Sequence, residues 1–396
     1  MAAAVFWIGL LLVLHTYLLY PASLVLLDAL RGVRSDLAFL GRGRERRRGT
    51  GGDTPSVSLV VAAWNEAAVI GGKLANSLAL DYPADRLEIL VGSDGSDDGT
   101  DELVRACRDA RVRLLPGPAR TGKVNVLNRV IPEARGEILV LSDANTELLP
   151  DAIRALVRHF ADPSVGCVCG NLRLYNPQLA DYEESAYWRY ESFLKLREGR
   201  RGAVMGANGG LYAIRRELFE ALPPDTIVDD FVIAMRCLQK GARVVYDPEA
   251  VAREETTEDY AKERVRRVRI AAGNFQSLGL VGSLLHPRHG FVAYAFLSHK
   301  LLRWLVPFFL ALVFLSNLVL VGRPLYTALF ALQLAGYGAA AVGWLLPPRG
   351  PAGRIASVAR YFVEMNLGLL QGFVRWALRT QKVTWQRTAR VGPPPT

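Results

Sequence analysis

The hydrophobic pattern changes character three times along the chain. Residues 2–30 are almost wholly apolar and long enough to cross a bilayer, and they are followed by Arg31, Arg34, Arg42, Arg44 and Arg46 to Arg48. That arginine placement predicts an amino end outside and the following chain inside. A cleaved signal peptide is the competing reading, but it would carry its basic residues before the apolar run, not after it. His15, inside the run, is expected to bond to a neighbouring helix. Residues 31–54, rich in Gly and Arg, read as a basic linker.

From Val57 short apolar runs alternate with helical stretches: V-S-L-V-V-A-A, a helix from about Glu66, L-E-I-L-V-G-S, a helix from Gly99, V-R-L-L, a helix from Lys123, and the strand Ile138 to Leu141. Strands buried on both faces read as such continuous apolar runs, and alternation with helices predicts an α/β fold with a parallel sheet. After Gly290 the apolar pattern returns. Residues 284–303, still mixed with His299, Lys300 and Arg303, suit a helix lying in the interface; residues 304–346, turned at Gly322-Arg323-Pro324, suit a transmembrane hairpin. Residues 357–380 carry Arg360, Glu364, Gln371, Arg375 and Arg379 on one helical face and Tyr361, Phe362, Met365, Leu369, Phe373 and Trp376 opposite, which predicts a second interfacial helix. Three spans leave the tail, 381–396, inside with Lys382, Arg387 and Arg390.

Composition agrees with this division. Hydrophobic residues make up 51% of the 396, and the excess sits at the two ends of the chain. The net charge of +10 could indicate nucleic acid, but no zinc-finger spacing, RNP-like aromatic motif or basic helix-turn-helix accompanies it, so a membrane surface and a phosphorylated substrate account for it better. Of four cysteines, Cys167 and Cys169 have no second pair to complete a zinc site and read as buried strand residues in a reducing compartment.

The candidate chemistry centres on S-D-A-N at 142–145. Asp143 falls just past a strand's carboxyl end, the edge where ligands bind in open α/β sheets. Asp143 and Asn145, spaced i, i+2, would point the same way in an extended segment and share a hard cation, Mg²⁺ or Mn²⁺. The alternative is that Asp143 or Thr146 caps a helix starting near Pro150. Around this stretch stand A-A-W-N-E at 62–66, S-D-G-S-D-D-G-T at 93–100, T-G-K-V-N-V-L-N at 121–128, G-A-N-G-G at 206–210, V-D-D-F at 228–231 and R-R-V-R-I at 266–270.

In this order and spacing the chain resembles the membrane-embedded family 2 glycosyltransferases, the group of cellulose, hyaluronan and poly-N-acetylglucosamine synthases. The resemblance covers about residues 55–280 by motif and the flanking membrane segments by layout, and implies a cytoplasmic GT-A domain over residues 55–283 of a multi-pass protein of the inner (plasma) membrane. It implies that Asn65, Glu66, Asp94 and Lys123 bind a nucleotide-diphosphate sugar, with Asp94 taking a hydrogen bond from the base and Lys123 meeting the diphosphate. It implies that Asp143 and Asn145 match a D-x-D metal motif with one charge lost, and that Asp230, beside Asp229, is the catalytic base. Gly206, Asn208 and Gly209 then belong to an acceptor loop. Arg266 and Arg269 match a Q-x-x-R-W motif in which Ile270 stands for tryptophan, which argues against processive synthesis. The partners implied are the donor, a glycan or lipid-linked acceptor, and membrane lipids, with no nucleic acid. The expected activity is inverting transfer to a polysaccharide or glycolipid. Two other readings compete with it: non-processive transfer to a polyprenyl phosphate or lipid-linked oligosaccharide, and a non-catalytic scaffold. The scaffold would have lost acidic residues that this chain keeps.

Overall fold

The computed structural model describes residues 1–42, 54–175, 186–255, 260–345 and 350–382. Arg44, Arg46 to Arg48, Arg387 and Arg390 lie outside them. The chain forms two compact units. One holds residues 24–259 and 280–295, the other residues 1–23, 260–279 and 296–381.

The first unit is built on one eight-stranded sheet. Its strands are β1 (Val57–Ala63), β2 (Leu87–Ser93), β3 (Val112–Leu115), β4 (Ile138–Asp143), β5 (Thr146–Leu148), β6 (Val165–Tyr175), β7 (Tyr212–Arg215) and β8 (Arg243–Glu255), in the order β3-β2-β1-β4-β7-β6-β8-β5. The first four are parallel, as the alternating apolar runs predict. Every second residue of β1, β2 and β4 enters one core: Leu59, Val61, Ile89, Val91 and Val140 pack with Ile70 and Leu74 of the helix Ala67–Leu78 and with Ile153 and Leu156 of the helix Ala152–Val157. The opposite face is covered by the helix Lys123–Val130, which approaches so closely that a methyl on Gly92 would lie 2.5 Å from Val126.

Parallel register aligns the carboxyl ends. Ala62 pairs with Asp143 and Ala63 with Ser93, so the loops that follow β1, β2 and β4 emerge at one edge. β7 runs antiparallel to β4, with Tyr212 opposite Leu141, and therefore begins where β4 ends. An antiparallel strand brings its preceding loop, residues 206–210, to the same edge. The pairing of β7 with β4 and β6, and of β8 with β6 and β5, is not apparent in the apolar pattern.

Among the described residues three helices are long and apolar enough to cross a membrane, Ala2–Gly32, Phe291–Leu320 and Pro324–Leu345. The first continues as helix to Arg42, into the expected linker, where Ala, Leu and Arg are all good helix formers. No break separates the mixed segment before Arg303 from the apolar run after it; a short π-helical stretch at Phe296–Leu301 bridges them. His15 Nε2 meets Ser298 Oγ at 3.0 Å, the interhelical bond expected of it. The helix Gly350–Ala377 is not among the three candidate spans. It packs closely through small residues, a methyl on Gly372 falling 2.4 Å from Ala271 and one on Gly343 2.4 Å from the Ala356 carbonyl.

Candidate active site

The edge of the sheet is assembled by backbone clamps. Asn65 takes φ 54, and its side chain exchanges two hydrogen bonds with Asp97, from Nδ2 to the carboxylate (2.7 Å) and from the Asp97 N–H to Oδ1 (3.0 Å). Asparagine tolerates that left-handed conformation better than most residues. The Glu66 N–H donates to Thr100 Oγ1 and the Ala67 N–H to Asp98, so the two loops after β1 and β2 are stitched together. Glu66 itself is buried.

Asp94 is fully buried and accepts from the Thr121 N–H (2.6 Å), Thr121 Oγ1 (3.0 Å) and the Gly122 N–H (2.9 Å to Oδ2). Hydrogen bonds to a charged group contribute about 1.5–3 kcal/mol each, so this carboxylate holds the loop that delivers Lys123. In this structure the partners of Asp94 are that loop, a role the motif did not suggest.

Lys123 opens its helix with Nζ 2.7 Å from Asp143 Oδ1 and 3.5 Å from Asp229 Oδ2. Burial opposes its charge, but Asp143, Asp229 and Asp230 together hold its pKa above the usual lysine range. Asp229 and Asp230 begin the helix Asp229–Gln239. Asp230 Oδ1 accepts the Phe231 N–H at 2.8 Å. Burial first, and then the charge of Asp229, push the Asp230 carboxyl up to about 6, against the pull of Lys123.

Gly209 sits against three of these groups. A side chain there would begin 3.2 Å from Asp230 Oδ2, 3.6 Å from Asp143 Oδ2 and 3.7 Å from Lys123 Nζ. The structure thus brings Asp143, Asp229, Asp230, Lys123 and Gly209 around one small space. Gly206 has φ 97 and faces the Phe231 ring, where any side chain would be strained and crowded. Asn208 is held by Lys195 Nζ and donates to the Gly170 carbonyl at 3.3 Å. Gly209→Ala is expected to cut turnover at least ~10-fold while the melting temperature stays near that of wild type, because displacing reacting groups by under an ångström is enough to misalign them. Steady-state rates and a thermal melt on the same preparation check this.

Asn145 departs from expectation. β4 ends at Asp143, a turn intervenes, and β5 begins at Thr146, so the i, i+2 alternation of an extended strand does not hold across the pair. The antiparallel pairing of β5 with β8 sets Thr146 opposite Glu254, and Asn145 Nδ2 donates to Glu254 Oε1 at 3.0 Å. The expected cap is absent as well, since the helix Ala152–Val157 follows Asp151. For a hard cation, Asp143 offers a carboxylate with Oδ2 turned toward the shared space beside Gly209. Among the described residues no three His, Cys, Asp or Glu side chains form a cage. One or two protein oxygens fit a magnesium-like ion carried on a diphosphate, which usually keeps water and phosphate as its other ligands.

Arg266 and Arg269 lie on the helix Tyr260–Val281, whose residues 260–279 group with the apolar helices and not with the sheet. Several residues at or beneath the edge carry no sequence signal. Arg120 lies 3.4 Å over the Trp64 ring. The buried Tyr212 hydroxyl has no hydrogen-bond partner among the described residues, and burial, followed by Asp229 and Asp230, keeps it protonated well above the usual range. Asp28, read as part of the apolar anchor, is buried within the sheet unit and receives Arg197 (2.9 Å), Arg200 (3.0 Å) and Arg201 (3.4 Å).

A family model described as "Glycosyltransferase like family 2" matches residues 55–273, more than half of the chain. Similar curated proteins include a beta-monoglucosyldiacylglycerol synthase of Synechocystis sp., 28% identical over 191 residues, which are 46% of this chain and 40% of that protein. A poly-beta-1,6-N-acetyl-D-glucosamine synthase of Staphylococcus aureus is 27% identical over 229 residues, 56% of this chain and 55% of that protein. The chain therefore spans about half the length of these relatives. Among solved structures, the mannosyltransferase PcManGT of Pyrobaculum calidifontis, in complex with GDP-Man and Mn²⁺, superposes with a TM-score of 0.66, at 24% identity, over 95% of this chain and 99% of that one. That likeness is one of fold.

Proposed function

Since the chain belongs to the glycosyltransferase-like family 2, we propose that it moves a sugar with inversion from a nucleotide-diphosphate sugar to a membrane-associated glycan or glycolipid. The observation that carries this reading is the meeting of Asp143, Asp229, Asp230 and Lys123 around Gly209 at the carboxyl edge of a parallel sheet.

Asp230 takes the acceptor hydroxyl's proton on Oδ2, since Oδ1 already holds the Phe231 N–H. The acceptor oxygen forms its bond to the sugar's anomeric carbon on the face opposite the departing diphosphate, which leaves with the electrons of the broken bond. A carboxylate raised to about 6 is ionised at neutral pH and still basic enough to draw that proton. Lys123, at a helix amino end, meets the diphosphate. A divalent cation at Asp143 and Asn145 would offset the charge developing on that leaving group. Mn²⁺ accompanies GDP-Man in the similar mannosyltransferase. Gly209, having no side chain, leaves room for the acceptor beside Asp230.

One observation favours a lipid over a growing polysaccharide as acceptor: Ile270 stands where a tryptophan would support a chain's terminal sugar. The arginines after residue 30 support a cytoplasmic side for the sheet unit. A panel of nucleotide sugars, offered to inside-out and right-side-out membrane vesicles with product sizing, tests all of this together. Release of nucleoside diphosphate confined to inside-out vesicles, with one or a few sugars added to lipid, is expected. No release with any donor would overturn the transferase reading, and long polymer would overturn the lipid one.

A further inference from the structure

Lys73 is a buried charge for which the mechanism above has no use. It sits on the helix Ala67–Leu78, is 4% exposed, and its ammonium donates to Ser142 Oγ at 2.8 Å and to the Thr146 carbonyl at 2.6 Å. These two acceptors bracket Asp143, Ala144 and Asn145. The Ser142 hydroxyl in turn donates a hydrogen bond to the Gly210 carbonyl at 2.8 Å. Gly210 follows Gly209, the residue on which Asp230, Asp143 and Lys123 converge. One helical turn on, Asn76 clamps β5 from the same helix face, donating to the Leu148 carbonyl at 2.8 Å and accepting its N–H at 2.9 Å.

Successive strand residues point to opposite faces, so Ser142 turns toward the helix Ala67–Leu78 while Asp143 turns away from it. Lys73 is thereby kept off the face where the reacting groups gather. Taking an ammonium out of water costs several kcal/mol, and a methionine would fill the same space without that cost. Burial pulls its pKa down to about 7, with Asp143 working in the other direction.

We propose that Lys73 and Ser142 form a buried polar brace that ties the turn carrying Asp143 and Asn145 to the loop carrying Gly209, so that the donor and acceptor sides of the site keep one geometry. Lys73 is a positioning residue acting through Ser142 and the two backbone carbonyls. This rests on the transferase reading for its consequence but not for its structural core.

The test compares wild type, Lys73→Met and Ser142→Ala as full-length protein in lipid nanodiscs. Ser142→Ala removes only a hydroxyl and keeps the question open to decision if Lys73→Met fails to fold. Amide hydrogen exchange is read over 142–148 and 206–211, with β1 and β2 as internal reference. Exchange at least ~10-fold faster in both segments, with β1 and β2 unchanged, is expected. With the donor that wild type turns over, the share of donor lost to water instead of acceptor should rise at least ~5-fold in both variants. Unchanged exchange, or exchange accelerated alike in every strand, would overturn the brace, the second showing Lys73 to be a core residue only. Locally faster exchange with an unaltered partition between water and acceptor would overturn its positioning role. If wild type turns over no nucleotide sugar, the transferase reading fails while the exchange data still decide the brace.

Discussion

Asp230→Asn is expected to turn over at least ~10²-fold more slowly than wild type while binding the donor as well as before, the pattern of a lost general base. The amide keeps the shape of the carboxyl, and its Oδ1 can still accept the Phe231 N–H, so the helix start should survive. The pH profile gives a sharper check. Only the ionised carboxyl can take the acceptor's proton, so log kcat should climb with unit slope below about 6 and level off above it. After burial, Asp229 is the main cause of the raised value. Asp229→Asn should therefore move the rising limb to lower pH and leave a working enzyme. A dead Asp229→Asn beside a lively Asp230→Asn would reverse the two roles.

Asp143→Ala is expected to lower turnover on the order of 10³-fold or more and to abolish cation-dependent binding of the nucleotide, because charge stabilisation of a leaving group is commonly the largest single contribution to such a reaction. The fold should be indifferent. The Asp143 side chain is 34% exposed, and its one close partner, Lys123, is itself reached by solvent. The removal has a second consequence. Lys123 would keep only Asp229, at 3.5 Å, as an ion-pair partner, and its raised pKa should fall toward the ordinary lysine value. Calorimetry of Mn²⁺ with UDP and with GDP, alongside a thermal melt, separates a lost cation site from a lost fold. Full wild-type activity in excess chelator would defeat the assignment however the variant behaves.

How much of the site can be read in the chain differs from residue to residue. Asp143 and Asp229 with Asp230 stand out because each opens or closes an element whose hydrophobic pattern is plain, and the end of an element is a position in space as well as in sequence. Lys123 is legible for the same reason. Asn145 is only half legible. Its spacing from Asp143 suggests a shared cation, but the turn between them and the bond to Glu254 depend on β5 pairing with β8, more than a hundred residues later in the chain. Asp94 is visible as a motif residue, yet its partners Thr121 and Gly122 are found only once the loop after β3 has folded back over β2.

By itself the sequence determined the parallel half of the sheet, the helices between its strands and the apolar helices at either end. Those features follow from periodicity, a local property that burial on both faces or on one face writes directly into neighbouring residues. Tertiary structure alone decided the other half, where antiparallel pairs stand beside the parallel pair of β6 and β8. β7, β6 and β8 join the sheet by pairings between distant segments, for which no local pattern exists. That pairing brings Gly209 against Asp230 and Asp143, and it hands the Ser142 hydroxyl the Gly210 carbonyl above Lys73. In one dimension Lys73 is an ordinary lysine on an amphipathic helix. Its burial, and the two acceptors that make burial tolerable, exist only where helix, strand and loop meet.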